Sequence, residues 1–215
     1  AQTSIIVDPA GPTSISLPTL PLSLTCAEAD IYNTAPDATY SNGETGGCLV
    51  EGNIPASLTP NWDACNGGTI VVDYNSTDVC GNILSGQASI NVEPATPPTI
   101  SIPTLPASLS CIEADAYTSA PDASYSNGEA GGCLIEGTIP ASLNPTWDQC
   151  NGGVIIVDYT GTDICGNPIS AQASISVDPA TAPTLTLPSL PASLTCIEAD
   201  VYTAAPDATY SNGES

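Results

Sequence analysis

Four cysteines recur at a fixed interval, and that recurrence constrains the fold more than any other feature of the chain. Cys26, Cys48, Cys65 and Cys80 return 85 positions later as Cys111, Cys133, Cys150 and Cys165, and Cys196 opens a third series. The residues between them follow suit. Residues 26–110 and 111–195 agree at most positions, and they differ mainly by exchanges such as Val for Ile, Ser for Thr and Asp for Glu. Such a chain is a tandem array, whose unit must bury a core within 85 residues and tolerate copies of itself as neighbours.

The phase of the repeat sets the divisions. TSIIVDPA at 3–10 corresponds to ASISVDPA at 173–180, and ATYSNGES at the other end corresponds to the stretch just before Gly131-Gly132-Cys133. Residues 1–10 are therefore expected to be the last strand of a preceding unit, 11–95 and 96–180 two whole units, and 181–215 the opening part of a third. Joining Ser215 of one copy to Ala1 of another skips the stretch equivalent to 131–170, so simple strand donation does not complete a unit. The array is expected to continue in a longer chain. The first ten residues carry neither the basic region nor the apolar block of a signal peptide.

Composition removes whole classes of function. The 215 residues include 23 Asp or Glu and no Lys, Arg or His, a formal charge of -23, whereas ordinary domains carry about 25% charged residues of both signs. Nucleic-acid binding needs Lys and Arg against phosphate, and an anionic membrane surface repels this chain. With 41% apolar residues the chain is nevertheless expected to fold rather than remain disordered. No apolar run is long enough to span a membrane.

Short β-rich runs separated by Pro, Gly, Asn and Asp predict an all-β protein without helices. In the second unit, strands are expected at 98–103, from Ser108 into Cys111, at 123–126, 133–139, 153–159 and 171–177. Asn127-Gly128 and the stretch 163–167 are expected turns. About seven short strands in such a unit predict an immunoglobulin-like β-sandwich, and the Pro-containing linkers predict semi-rigid end-to-end stacking. A β-solenoid is the rival, but no shorter sub-period is visible.

Nine cysteines among 21 Pro and 18 Gly point to an oxidising compartment in which disulfides staple small cores. Four cysteines in a unit allow three pairings. In an immunoglobulin-like strand order the end of the second strand and the turn after the sixth share a pole, which predicts Cys26–Cys80 and Cys111–Cys165. The remaining cysteines share the other pole, predicting Cys48–Cys65 and Cys133–Cys150. Zinc sites and cysteine nucleophiles are disfavoured, because there is no C-x-x-C pair and no His to act as ligand or base.

No carboxylate can pair with a side-chain cation, so each must find backbone N–H groups, hydroxyls, water or a bound ion. Calcium is the candidate ion, and no other cofactor is required. Its candidate ligands are Glu28, Asp30, Asp37 and Asp78, repeated as Glu113, Asp115, Asp122 and Asp163. Asp8, Glu93 and Asp178 at the unit junctions form a second candidate cluster. No D-x-D-x-D-G loop is present, so a solvated acidic surface is the competing reading. A glycosidase pair of carboxylates would have to recur in every small unit, which argues against catalysis. Trp62 and Trp147 are expected as core anchors, with a glycan-stacking surface as the alternative. Asn75-Ser76-Thr77 fits a glycosylation acceptor, but Thr160-Gly161-Thr162 replaces it one period on.

The stretch T-D-[VI]-C-G-N at 77–82 and 162–167, the strand Q-A-S-I-x-V and the linker [DE]-P-A-T resemble hyalin-repeat-type and related immunoglobulin-like modules of giant bacterial surface proteins. The spacing C-x21-C-x16-C-x14-C is similar to cysteine-containing repeats of long extracellular adhesins from gliding and biofilm-forming bacteria. The resemblance implies an adhesive spacer. The expected function is a non-catalytic structural segment of a long extracellular filament or cell-surface adhesin stalk, whose partners are further copies of the same unit. Two alternatives stand beside it: an array binding a surface glycan or protein with calcium as organiser, and a fibre self-assembled from short subunits. Without Lys or Arg the array has no tryptic site and no Lys-to-Asn isopeptide link, leaving disulfides as its covalent reinforcement. Its acidic surface keeps copies from associating indiscriminately.

Overall fold

A computed structural model describes residues 2–214 and is all-β apart from short helices. The first repeat contains β1 (Ser14–Ser16), β2 (Ser23–Leu24), α1 (Cys26–Asp30), β3 (Ala38–Ser41), β4 (Glu51–Ile54), β5 (Ala56–Asp63), β6 (Gly67–Thr77) and β7 (Ile83–Val92). The same series returns as β8 (Thr99–Ser101), β9 (Ser108–Leu109), α2 (Cys111–Ala116), β10 (Ala123–Ser126), β11 (Glu136–Ile139), β12 (Ala141–Asp148), β13 (Gly152–Thr162) and β14 (Pro168–Val177). It begins again with β15 (Thr184–Thr186), α3 (Cys196–Val201) and β16 (Thr209–Ser211).

Each full repeat forms a three-stranded and a four-stranded sheet, ordered β1-β3-β4 and β2-β7-β6-β5 in the first and β8-β10-β11 and β9-β14-β13-β12 in the second. In an immunoglobulin sandwich the third strand lies beside the sixth. Here β3 lies between β1 and β4, while β6 is flanked by β5 and β7. The cause is the turn after Trp62, where the Asp63 carboxylate accepts the Cys65 and Asn66 N–H groups, each at 2.8 Å. That turn folds β5 straight back onto β6, in register from Ala56 opposite Tyr74 to Asp63 opposite Gly67, so both edges of β6 are occupied. Strand β2 pairs in parallel with the far end of β7, Ser23 opposite Asn91 and Leu24 opposite Val92.

The Val- and Ile-rich strand β6 supplies the centre of the first core. Ile70, Val72 and Tyr74 pack with Leu84, Ile90 and Val92 of β7 and with Ala38, Tyr40 and Ile54. Burial of each large side chain contributes about 1.5–3 kcal/mol. The fully buried Tyr74 donates its hydroxyl to the Pro36 carbonyl at 3.2 Å, and Tyr159 does the same to Pro121. Burial, followed by the nearby Tyr32 and Asp37, pushes the Tyr74 phenol up.

Expectations failed at two places. Cys111 does not close a strand; it opens α2, because Ser110 and Glu113 form a capping box, as Thr25 and Glu28 do for α1. The stretch 141–148, where no strand was expected, is strand β12. Residues 2–10, expected as the last strand of a preceding unit, form no strand within this chain, and Ile5, Ile6 and Val7 are exposed. Their equivalents Ile175 and Val177 pair with Ile155 and Gly153 of β13, and among the described residues no strand pairs with residues 2–10.

The chain divides into two compact units that ignore the repeat boundaries. The first comprises Ala1–Thr99, Tyr125–Gly137 and Asp163–Asn167; the second comprises Ile100–Ser124, Thr138–Thr162 and Pro168–Ser215.

Candidate functional site

Inside the first unit, two segments of the second repeat meet two cysteines of the first. Cys26 is bonded to Cys133, 107 residues on, and Cys65 to Cys165, 100 residues on. The expected pairs Cys26–Cys80, Cys48–Cys65, Cys111–Cys165 and Cys133–Cys150 do not form. Strand geometry explains why. Cys26 follows β2, which lies at the Val92 end of β7, whereas Cys80 sits in the turn that begins β7. The ten residues of β7 place these cysteines about 30 Å apart along the strand. Cys65 precedes β6 at the Cys26 end, since Gly68 pairs with Val92. Val50, two residues after Cys48, lines the same hollow as Cys80. Each repeat thus carries its first and third cysteines at one pole and its second and fourth at the other.

Cys26 is only 2% exposed. It begins α1, where the Glu28 carboxylate accepts the Thr25 N–H at 2.9 Å and the Thr25 hydroxyl at 2.9 Å. Those bonds, the backbone one foremost, hold the Glu28 carboxyl below its ordinary value. One turn later Asp30 accepts the Gly132 N–H at 3.2 Å. A Cβ at Gly132 would stand 2.7 Å from Asp30 Oδ1, and Gly131 has a φ of +63° as well as contact with the same carboxylate. The Gly131–Cys133 turn is therefore glycine at both positions before the cysteine because α1 lies against it.

Asn127 and Glu129 hold the approach to that turn. Asn127 donates to the Cys133 carbonyl at 2.8 Å and the Thr96 carbonyl at 3.2 Å, and it accepts from Ile135 N at 3.0 Å. Glu129 Oε1 accepts the Thr96 hydroxyl at 2.6 Å and its N–H at 3.0 Å, which lower its pKa. Its other oxygen is buried without a hydrogen-bond partner.

The second bond joins two turns of the same design. Asp63 and Asp163 each precede a cysteine by two residues and accept its N–H, at 2.8 and 2.9 Å. Asp163 is buried, which pushes its carboxyl up, but the Asn167 side chain at 3.0 Å and the Asn167, Cys165 and Gly166 backbone outweigh this and the pKa is lowered. Asp78 is held down likewise, chiefly by Asn82, and also accepts from Thr13 at 3.1 Å.

The calcium candidates are not gathered. Glu28 is used by the α1 cap, Asp30 by Gly132 and Asp78 by its own turn, while Asp37 is exposed. In the second repeat Glu113 caps α2, Asp163 holds its turn and Asp122 is exposed, while Asp115 lines a cavity. Among the described residues, the one group of metal-capable side chains within 4.8 Å of one another is Cys26, Glu129 and Cys133. Its two sulfurs are already joined. The junction acids Glu93 and Asp178 use their backbone N–H groups on Leu24 and Leu109. Trp62 is half-buried against the core, as expected of an anchor, while Trp147 lines the cavity beside Cys111.

The site consists of two disulfides, two Asp-capped turns and a pair of glycines. Comparison with family models, with curated proteins and with solved structures gives no match.

Proposed function

We propose that the chain is a non-catalytic structural segment of a long extracellular filament or cell-surface adhesin stalk. The observation that supports this reading is the disulfide pattern. Its bonds join the first repeat to the second instead of closing each repeat on itself, so neighbouring repeats are held covalently as well as by the chain. Such bonds persist in an oxidising compartment. Among the described residues no helix is long and apolar enough to cross a membrane. A complement of 23 carboxylates, most of them exposed, without a side-chain cation gives the array mutual repulsion between filaments, and the absence of Lys and Arg removes trypsin-type cleavage.

Immunogold labelling of intact and of lysed cells with antibody raised against the repeat tests the proposal. Label spaced along fibres outside intact cells is the expected result. Label reached only after lysis overturns it. Retention on a glycan array that is lost on chelation, with the fold unchanged, would replace the spacer reading with the binding one.

A further inference from the structure

The contact that holds Cys26 and Cys65 in disulfides has a counterpart one repeat on, and there it is open. In the second unit, Cys111, Asp115, Trp147, Gln149, Asn212 and Glu214 surround a cavity of about 430 Å³. These are the positions, shifted by 85, of Cys26, Asp30, Trp62, Ala64, Asn127 and Glu129. A second cavity, of about 620 Å³, is bounded by Cys150, Ala180, Thr181, Pro183 and Tyr210, the counterparts of Cys65, Ala95, Thr96, Pro98 and Tyr125. In the first unit the equivalent places hold the Gly131–Cys133 and Asp163–Asn167 turns.

The framing of the cavities is already complete. Thr181 donates its N–H and hydroxyl to Glu214 at 3.2 and 3.0 Å, as Thr96 does to Glu129. Strands β15 and β16 pair Thr184 with Ser211, as β1 and β3 pair Ser14 with Ser41. Asn127 donates to the Cys133 carbonyl, whereas Asn212 turns onto Glu214 at 3.1 Å.

We propose that the two cavities are sockets for the cysteine turns of a further repeat in the same polypeptide. The first receives a Gly-Gly-Cys turn that bonds to Cys111. The second receives an Asp-x-Cys-Gly-Asn turn that bonds to Cys150. A second molecule docked in this register would lay its own Ser14–Ser41 segment over Thr184–Ser211, where β15, α3 and β16 already stand. The occupant is therefore the remainder of the repeat that those elements begin. Each bond forms when two thiols give up two protons and two electrons to a disulfide-bearing oxidant, which leaves as its dithiol.

The same rule accounts for every cysteine. Cys48 and Cys80, exposed at the opposite pole, take the roles of Cys133 and Cys165 toward a preceding repeat. Cys111, Cys150 and Cys196 take those of Cys26 and Cys65 toward following ones. The inference depends on the chain being a repeat array, not on where the array resides.

The test is disulfide mapping of the native polypeptide, alkylated without reduction and digested with an Asp-directed protease and thermolysin. The Cys111 peptide is expected joined to a Gly-Gly-Cys peptide and the Cys150 peptide to an Asp-x-Cys-Gly-Asn peptide, neither cysteine alkylated. The denatured mass should be the same before and after reduction, apart from two hydrogens gained for each bond. Alkylated Cys111 and Cys150, or bonds from them to Cys165 and Cys133, overturn the proposal. A denatured mass that falls several-fold on reduction overturns it in favour of bonds between molecules. A Cys111→Ser variant supplies a second readout: one Gly-Gly-Cys cysteine becomes alkylated while the Cys150 bond persists.

Discussion

Residues 14–41 and 184–211 have nearly the same sequence and the same local structure, yet one is inside a core and the other is not. In both, the first and last strands pair in identical register with a capped helix between them, while β2 of the first has no counterpart in the second. Tyr40 is 9% exposed, while its counterpart Tyr210 is 77% exposed. Turns, caps and strand pairing are therefore encoded locally, in T-x-x-E and S-N-G-E. Burial of the same tyrosine waits on β4, β6 and β7, which lie up to about fifty residues further along.

Reduction should act most strongly on that difference. A cross-link over about 100 residues contributes about 4–5 kcal/mol on chain-entropy grounds. The denaturant midpoint of the first repeat should fall steeply with reductant, and an unchanged midpoint contradicts the disulfide assignment. Next is the matched pair Tyr40→Ala and Tyr210→Ala. In a chain of these 215 residues alone the first should cost about 3–5 kcal/mol, as large aromatic truncations do, and the second under about 0.5 kcal/mol. Equal effects on urea unfolding would show that residues 184–211 are buried in solution.

Acid should blur the comparison, because its targets are local in both regions. Glu28, Asp63, Asp78, Asp163 and Glu198 all have lowered pKa values from hydrogen bonds to their caps and turns. A depressed carboxyl stabilises the fold above its unfolded pKa and loses that contribution as pH falls through the folded value. Stability at high salt, where repulsion is screened, should hold from pH 8 to about pH 5 and decline below about pH 4. A rise on acidification at high salt would contradict these assignments. The smallest effect belongs to the caps: Thr25→Ala and Thr195→Ala should each cost about 1 kcal/mol of local helix stability, read as faster amide exchange at Glu28 and Glu198. Unequal losses would show that the cap depends on its surroundings.

What could be read from the sequence divides along the same line. The run GVIIVDY marked the central strand, and S-N-G marked the turn, where Gly43 and Gly128 share a φ of +72°. The helices were equally legible, since Thr25-x-x-Glu28 is a capping box, but the β-rich surroundings hid them. Strand β5 was masked by Pro60, which is tolerated because β5 is an edge strand with no ladder bond to lose on its outer side. The disulfide partners were not legible from a single unit. They depend on which pole each cysteine occupies, and that follows from β5 folding onto β6 rather than from spacing. The dispersal of the calcium candidates has a related cause: Glu28, Glu113, Asp78 and Asp163 are taken up by the caps and turns that their own sequence neighbourhoods build, while Asp30 accepts from the distant Gly132 and Asp37 and Asp122 stay exposed.

The disulfide register also decides how much polypeptide a pulling force can reach. From Cys65 a covalent path crosses to Cys165 in one bond, and Cys150, the start of the next crossing, lies only 15 residues back. If the pattern continues, a fully unfolded oxidised array pays out about 50 Å of contour per repeat, against about 300 Å for the 85-residue unit with its bonds reduced. Such a thread is nearly inextensible whether or not its β-sheets survive.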